Sequence, residues 1–206
     1  MSSQTQEATS PNTPPPGKEV SPLPQINAPA PKHPNLPLPD KPTIIVFLRH
    51  CGCPFAEKTF RNLTSLSVQY KDVNFIAVSH SSPEATERWV VEVGGNWDVN
   101  VVVDYERELY NQWGLGVSNT WHVFSPVTLF KTLRLAKDEH IWNQPTEGGS
   151  RWQTSGAFAL RRDGLVKWVK VAASADDLPD LEAALTALGI KLKPKPPPEP
   201  RTDGFL

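Results

Sequence analysis

The order in which apolar runs and amphipathic stretches alternate is the feature that most constrains the fold of this chain. Thr43–Leu48 and Asn74–Ser79 are rich in apolar residues, as in strands buried on both faces, and a helical stretch follows each of them. Val99–Val103 is a third such run, and two short runs flank a hairpin signal at Asp163-Gly164. The predicted order is β-α-β-α-β-α-(α)-β-β-α. We therefore expect an α/β domain in which parallel strands, joined by right-handed crossovers, are followed by antiparallel strands.

The predicted helices carry their own start and stop signals. Proline is tolerated in a first helical turn, and a short polar residue before it caps the free N–H groups. We expect the first helix to begin at Pro54 and the second to be capped by Ser81, with Glu84 completing a capping box. The second helix should stop at Gly94-Gly95. The remaining helices are assigned a cap at Asp104, a start at Ser125-Pro126 and a cap within Ser174–Asp177.

The distribution of proline sets the domain boundaries. Of 22 prolines, 11 lie in residues 1–40 and five in residues 191–206, so the segment between them is proline-poor. Proline-rich, polar segments bury too little apolar surface to offset chain entropy. We expect one domain over residues 41–190, of ordinary domain size, flanked by a disordered tail at 1–40 and a second tail at 191–206.

Charge, hydropathy and cysteine content exclude several classes of protein. With 21 basic and 22 acidic side chains, the chain has no excess charge for nucleic acid. No apolar run approaches the roughly 20 residues of a membrane span, and the N-terminus resembles neither a secretory nor a mitochondrial signal. Two cysteines one residue apart cannot form a disulfide framework, so a reducing cytoplasm is the expected compartment. The histidines lack metal-ligand spacing, and no metal site is predicted.

The chemistry-bearing motif is Arg49-His50-Cys51-Gly52-Cys53-Pro54, at the carboxyl end of the first strand. Ligand sites of open α/β sheets lie at that edge. Pro54 at the first helical position makes Cys53 the N-cap, where free N–H groups and the helix dipole stabilise a thiolate. Arg49 and a protonated His50 would act in the same direction. We therefore predict that Cys53 is a redox-active cysteine able to attack a peroxide or a disulfide.

Two roles remain open for Cys51. A Cys-Gly-Cys pair can close a small strained disulfide, so Cys51 could resolve a sulfenic acid on Cys53. It could equally point into the sheet as a small apolar filler.

The sequence resembles the thioredoxin fold and, more narrowly, the peroxiredoxin-like branch of the alkyl hydroperoxide reductase/thiol-specific antioxidant (AhpC/TSA) superfamily. The resemblance covers about residues 41–190 and rests on IIVFLRH, Cys-Pro-Phe at 53–55, VVVDYERELYNQWGLG at 101–116 and GGSRWQTSGAFALRRDGLVKW at 148–168. It implies a three-layer α/β/α sandwich with a mixed central sheet and a peroxidase-like oxidoreductase activity with Cys53 as the first cysteine of a Cys-Pro-x-Cys motif. No cofactor need be bound, and glutathione or thioredoxin would be the external reductant.

The sequence departs from that family at three positions. Ala56 stands where the second cysteine of the motif would be, and His50 stands where peroxiredoxins have threonine or serine. Ser155-Gly156 occupies the place of the thioredoxin cis-proline, where glycine leaves the backbone open to a substrate. By resemblance, Arg151 and Trp152 lie beside the first helix.

Further candidate residues follow from these placements. Arg151 could hold a thiolate or an anionic substrate. Trp152, Trp121 and Phe55 could wall an apolar pocket for an organic substrate, although aromatic residues more often pack in the core. His80 ends the second strand at the same edge, which makes it a candidate acid/base.

Three functions are consistent with these residues. The first is a thiol-dependent oxidoreductase that acts on a small peroxide or disulfide through Cys53. The second is a thioredoxin-fold enzyme that converts an organic metabolite without redox turnover of Cys53, since fold does not fix function. The third is a redox-inactive binding module. No nucleic acid or membrane partner is expected, and a homodimer is left open.

Overall fold

The computed structural model describes residues 19–36, 38–117, 126–142 and 149–194. Its strands are β1 (Thr43–Phe47), β2 (Asn74–Ser79), β3 (Val99–Val103), β4 (Gly156–Leu160) and β5 (Val166–Val171). Its helices are α1 (Pro54–Gln69), α2 (Pro83–Glu92), α3 (Glu108–Gln112), α4 (Pro126–Glu139) and α5 (Leu181–Ala187). The order along the chain is the one that the sequence predicts.

The strands form one sheet in the order β3-β2-β1-β4-β5. β1 and β2 are parallel, as are β2 and β3, whereas β4 is antiparallel to both β1 and β5. β1 is the central strand, with Phe47 opposite Val78 on one side and Gly156 on the other. The carboxyl ends of β1 and β2 therefore meet the beginning of β4 at one edge of the sheet. This mixed sheet confirms the predicted thioredoxin-like α/β architecture.

Apolar residues on the two faces of the sheet form two separate cores. On one face, Val46 and Ile44 of β1 pack with residues of α1, α2 and α5, and the rings of Phe60 and Trp89 lie 5.1 Å apart. On the other face, alternate residues of β1 pack under α3, in a cluster that includes Phe47, Tyr110, Trp113 and Phe158. Period-two alternation along β1 thus places helices on both faces, which gives the three layers.

The helix starts show which local rules determine each boundary. α1 begins at Pro54 with Cys53 as its N-cap, as predicted, and the carboxylate of Asp104 accepts the N–H groups of Glu108 and Tyr110 at the start of α3. Two predicted caps are displaced. Ser82, not Ser81, caps α2 through the N–H of Ala85, because Pro83 takes the first helical position. The last helix begins later than predicted. Its N-cap is Asp180 rather than a residue of 174–177.

The domain boundary predicted at Lys41 is too late in the chain. Residues 19–36 lie against the domain: the N–H of Asn27 donates to the carbonyl of Val166, whose own N–H donates to Ala28. Leu36 is only 2% exposed and belongs to the second core. Because these contacts are made with segments distant in sequence, proline content alone could not reveal them. The remainder of the predicted tails, at 1–18 and 195–206, lies outside the described residues.

No helix in the described part of the chain combines the length and the apolar character that a membrane crossing requires.

Candidate active site

Cys53 lies at the N-terminus of α1, at the carboxyl edge of the central strand. Its backbone is extended, with φ −78° and ψ 124°, and its carbonyl accepts the first helical hydrogen bond from the N–H of Glu57. Gly52, with φ +93°, makes the sharp approach to the helix, a conformation that a side chain would strain. Cys53 does not cap the helix with its side chain, and its thiol is free. The thiol therefore lies where the helix dipole favours negative charge.

Arg49 is buried next to this helix start. Its side chain is 4% exposed, and Nη2 donates to the carbonyl oxygen of Arg151 at 2.7 Å. Its Nε and Nη1 atoms are buried and have no hydrogen-bond partner among the described residues. The structure thus joins Arg49 to the backbone of Arg151, a contact that the sequence did not predict, and no described residue accepts from the other two nitrogens of the Arg49 guanidinium.

His50 is neutral, which corrects the charge expected from the sequence. Burial lowers the pKa of His50 to about 4; a hydrogen bond with the carbonyl of Cys51 opposes this shift, and the positive charges of Arg49 and Arg151 add to it. The Nδ1 atom lies 2.9 Å from that carbonyl oxygen, which can only accept, so Nδ1 carries the proton. The Nε2 atom is therefore an acceptor at neutral pH. His50 offers a hydrogen-bond acceptor here, not a positive charge.

Cys51 is held in a small pocket of hydroxyl groups. Its N–H donates to Ser81 Oγ at 3.0 Å, and its sulfur lies 3.8 Å from Ser79 Oγ and 4.0 Å from Thr86 Oγ1. Cys51 is also a free thiol and is 4% exposed. Its sulfur therefore faces the end of β2 and the first turn of α2, and Cys51 also belongs to the first apolar core.

His80 links the end of β2 to the loop that precedes β4. Its Nε2 donates to the carbonyl oxygen of Ser150 at 3.1 Å, and its Nδ1 lies 3.4 Å from the Tyr110 hydroxyl. Burial lowers the pKa of His80 to about 3, so the ring is neutral. The hydroxyl of Tyr110 donates to the carbonyl of Leu48 at 2.6 Å, which ties the end of β1 to α3. These contacts favour a structural role for His80 over the acid/base role predicted from its position.

A small cavity of about 20 Å³ opens beside the helix start. Arg49, Phe55, Ser155 and Gly156 are among the residues that line it, and Cys53 precedes the lining residues Phe55 and Ala56 in the chain. A Cβ on Gly156 would lie 2.8 Å from Leu115, so this glycine is also required for packing. Its role in substrate binding stays a prediction, and the volume of the cavity admits only the end group of a substrate.

Two of the predicted pocket aromatics are not found in the cavity wall. Trp152 is buried, with 4% of its surface exposed, and is not among the described residues that line this cavity. Trp121 lies outside the described residues. Phe55 is thus the one of the three predicted aromatics that the described structure places at the cavity. The apolar pocket proposed for these three residues therefore stays a prediction.

Sequence reasoning missed the polar residues that support the motif. Ser79 and Thr86 surround the sulfur of Cys51, with their hydroxyl oxygens 2.9 Å apart. Gln153 is 1% exposed and donates to the carbonyl of Leu115, which fixes the loop before β4. One signal could have located Ser81: with Ser82 assigned as the cap before Pro83, the Ser81 hydroxyl is not needed to cap α2 and can accept from Cys51.

The fold and the site define a class of protein: a thioredoxin-fold chain with a free cysteine at the N-terminus of its first helix. The sequence profile described as "AhpC/TSA antioxidant enzyme" matches residues 60–174, which is more than half of the chain. The chain therefore belongs to the AhpC/TSA antioxidant enzyme family. The match begins within α1, so both cysteines lie outside it. No curated protein matches the chain in sequence.

Solved structures of low sequence identity share the fold. A peroxiredoxin-like protein from Aquifex aeolicus superposes with a TM-score of 0.57 and 14% identity, over 82% of this chain and 89% of that one. A thiol peroxidase from Chromobacterium violaceum superposes with a TM-score of 0.52 and 15% identity, over 83% of this chain and 90% of that one. A yeast mitochondrial 1-Cys peroxiredoxin superposes with a TM-score of 0.52 and 11% identity, over 80% of this chain and 75% of that one. In the described residues of this chain, no group of three or more His, Cys, Asp or Glu side chains could hold a metal ion.

Proposed function

We propose that the protein is a peroxiredoxin-like, thiol-dependent oxidoreductase that reduces peroxides or disulfides through Cys53. The observation that carries the proposal is the position of Cys53 as N-cap of the 16-residue helix α1, at the carboxyl edge of β1, in a chain of the AhpC/TSA family. The N-terminal end of a helix dipole favours negative charge, which is the charge that develops on a thiol acting as a nucleophile.

The proposed reaction with a peroxide conserves atoms and electrons. The Cys53 thiolate attacks one peroxide oxygen; an S–O bond forms, the O–O bond breaks, and the leaving oxygen takes a proton to give an alcohol or water. Sulfur loses two electrons to the peroxide and becomes a sulfenic acid. A thiol then displaces water to form a mixed disulfide, and a second thiol releases Cys53 and a disulfide product.

His50 has a defined part in this proposal. Peroxiredoxins use a threonine or serine hydroxyl at the corresponding position to orient the peroxide. The neutral His50 ring, with Nδ1 bonded to the Cys51 carbonyl, has its acceptor at Nε2. This acceptor can receive the hydrogen of a hydroperoxide O–H group. We assign His50 the task of orienting the peroxide without carrying charge.

The proposed reductant is an external thiol, glutathione or thioredoxin. Ala56 occupies the place of the second cysteine of the family motif, and the sulfur of Cys51 is directed to the hydroxyls of Ser79 and Thr86. The yeast 1-Cys peroxiredoxin that shares this fold is resolved through the glutathione and thioredoxin systems. A mixed disulfide on Cys53, rather than a Cys51–Cys53 disulfide, is the intermediate we expect.

Rapid mixing followed by mass spectrometry of the intact protein tests the proposal. The wild type and Cys51→Ser are mixed with hydrogen peroxide or an organic hydroperoxide, and one added oxygen on Cys53 is expected in both. Cys53→Ser should consume peroxide no faster than the buffer. Equal peroxide consumption by Cys53→Ser and the wild type would sink the idea, as would a wild type whose thiols stay reduced. Conversion of an organic metabolite that survives double substitution of both cysteines would favour the alternative enzyme class.

A further inference from the structure

The buried guanidinium of Arg49 has unused hydrogen-bonding capacity. Arg49 is 4% exposed, one of its nitrogens donates to the Arg151 carbonyl, and Nε and Nη1 have no partner among the described residues. Buried polar groups in proteins are almost always hydrogen-bonded, and a buried charge without a partner is costly. An acceptor on a bound ligand would complete the hydrogen bonding of this guanidinium.

The carboxylates near the site are engaged elsewhere. Asp177, which lines the cavity, accepts from Lys170 Nζ at 2.8 Å and from the N–H of Ala173. Asp104 accepts backbone N–H groups of α3. Glu57, in the first turn of α1, is paired with Arg61 at 2.5 Å. Among the described residues, none of these carboxylates neutralises Arg49.

The first turn of α1 adds donors on the same cavity. Cys53 makes no side-chain cap bond, so the N–H groups of Phe55 and Ala56 lack an intrahelical acceptor. Phe55 and Ala56 line the cavity together with Arg49. A helix N-terminus of this kind favours an anion, and the buried guanidinium supplies the full positive charge.

We propose that Arg49 and the first turn of α1 form a subsite for a carboxylate group of the molecule that reacts with Cys53. The cavity of about 20 Å³ accepts an end group of this size and not a whole aromatic substrate. The inference rests on the proposed function and names its ligand class: a hydroperoxide that carries a carboxylate, or a carboxylate-bearing thiol such as glutathione.

Two alkylating reagents that differ only in charge test the subsite without any peroxide. Iodoacetate carries a carboxylate, and iodoacetamide is its neutral counterpart. We compare the rate with iodoacetate divided by the rate with iodoacetamide. In the wild type, we expect this ratio for Cys53 to exceed the ratio for a free thiol at the same pH and salt. Arg49→Met should lower that ratio about tenfold, which corresponds to about 1.4 kcal/mol.

Control variants separate the subsite from general charge effects. Arg162→Met removes the same charge from a side chain that is 68% exposed at the far end of the sheet, and its ratio should equal that of the wild type. Arg49→Lys keeps the charge and should retain part of the preference. A ratio that is equal in the wild type and Arg49→Met overturns the proposal.

A second measurement decides the case if Arg49→Met fails to fold or if neither reagent reaches Cys53. Propionate and its neutral analogue propionamide are added to the wild type at constant ionic strength. Binding to the folded state raises Tm, so a larger rise with propionate supports the subsite, and equal shifts overturn it. Neither measurement depends on peroxide reduction. A protein that passes them but is not oxidised by peroxide refutes the proposed function alone.

The two sources of the carboxylate are distinguished by matched substrates. If the peroxide carries it, a carboxylate-bearing alkyl hydroperoxide oxidises Cys53 faster than tert-butyl hydroperoxide, and Arg49→Met removes the difference. If the reductant carries it, glutathione reduces the Cys53 sulfenic acid faster than glutathione ethyl ester, with the same loss in the variant. Absence of both differences overturns the assigned ligand class.

Discussion

The two ends of the central strand β1 differ in whether the charged and titratable side chains near them are buried or exposed. At the carboxyl end, Arg49 and His50 are buried, and His80 lies at the end of the adjacent strand with 1% exposure. At the amino end, the hairpin turn carries exposed ion pairs, Arg161 with Asp163 and Arg162 with Asp40. Exposed pairs contribute little to stability, and buried unpaired charge is costly. Burial of the polar side chains at the carboxyl end therefore costs folding free energy, whereas the exposed pairs at the amino end cost little.

Truncation of a buried apolar side chain near the amino end, where Leu36 and Thr43 border the same opening, has the largest effect we predict. Leu36 is 2% exposed and lies in the second core with Leu160 and Val166. Leu36→Ala should lower the unfolding free energy by about 3 kcal/mol, through lost burial and the cavity left behind. Urea unfolding followed by tryptophan fluorescence measures this change.

Leu23→Ala is the matched control, since Leu23 lies in the same N-terminal segment but is 44% exposed. Its effect should stay below about 1 kcal/mol because a half-exposed side chain loses less apolar burial. Equal, small effects of both substitutions would contradict the placement of residues 19–36 against the domain.

The pH dependence of stability probes the carboxyl end. The pKa of His50 is about 4 in the folded protein and 6.5 in an unfolded chain. Between these values the unfolded state binds the proton and the folded state does not, so stability falls as pH falls from 6.5 towards 4. The slope from one such group reaches about 1.4 kcal/mol per pH unit. His50→Gln should reduce the wild-type slope by about that amount between pH 6 and 4.5.

His80→Gln provides the companion measurement. The pKa of His80 is lowered to about 3, so this group acts in the same pH window and its contribution continues to lower pH. Urea titrations at a series of pH values measure both slopes. If the slope of His50→Gln equals that of the wild type, His50 is not the buried neutral group described above.

Local sequence rules predicted much of the fold and the position of the central cysteine. Pro54 at the first helical position specifies Cys53 as the N-cap, a relation between adjacent residues that needs no tertiary information. The order of strands and helices was likewise predictable, because each apolar run is continuous in sequence. The same proline rule, applied to Pro83, would have placed the second cap correctly at Ser82.

What the sequence could not predict depends on contacts between distant segments. Residues 19–36 pack through single hydrogen bonds and scattered apolar contacts, such as that of Leu23 with Gly114, which leave no periodic pattern. The neutral state of His50 follows from burial, which depends on the whole fold. The hydroxyls around Cys51 come from β2 and α2, and only the assembled sheet edge brings them together.

The smallest expected effect compares two arginines, one at each end of the sheet. The single hydrogen bond that Arg49 makes among the described residues, to the Arg151 carbonyl, offsets only part of the free-energy cost of burying its charge. Arg49→Met should therefore raise the unfolding free energy of the ligand-free protein by about 1 kcal/mol. Arg162→Met, at an exposed site, should change it by less than about 0.5 kcal/mol. Chemical unfolding of both variants without added anion measures the contrast.

The sign of the Arg49 effect distinguishes a functional arginine from a structural one. A gain in stability on removing a buried side chain means that arginine is retained at a cost to folding, as expected where function requires it. The substitution would also raise the pKa of His50, because the positive charge of Arg49 helps to lower that pKa. A loss of more than about 1 kcal/mol would instead show that the bond to Arg151 makes Arg49 a structural residue. In that case the two ends of β1 would differ in burial alone, and the unpartnered nitrogens would no longer indicate a ligand.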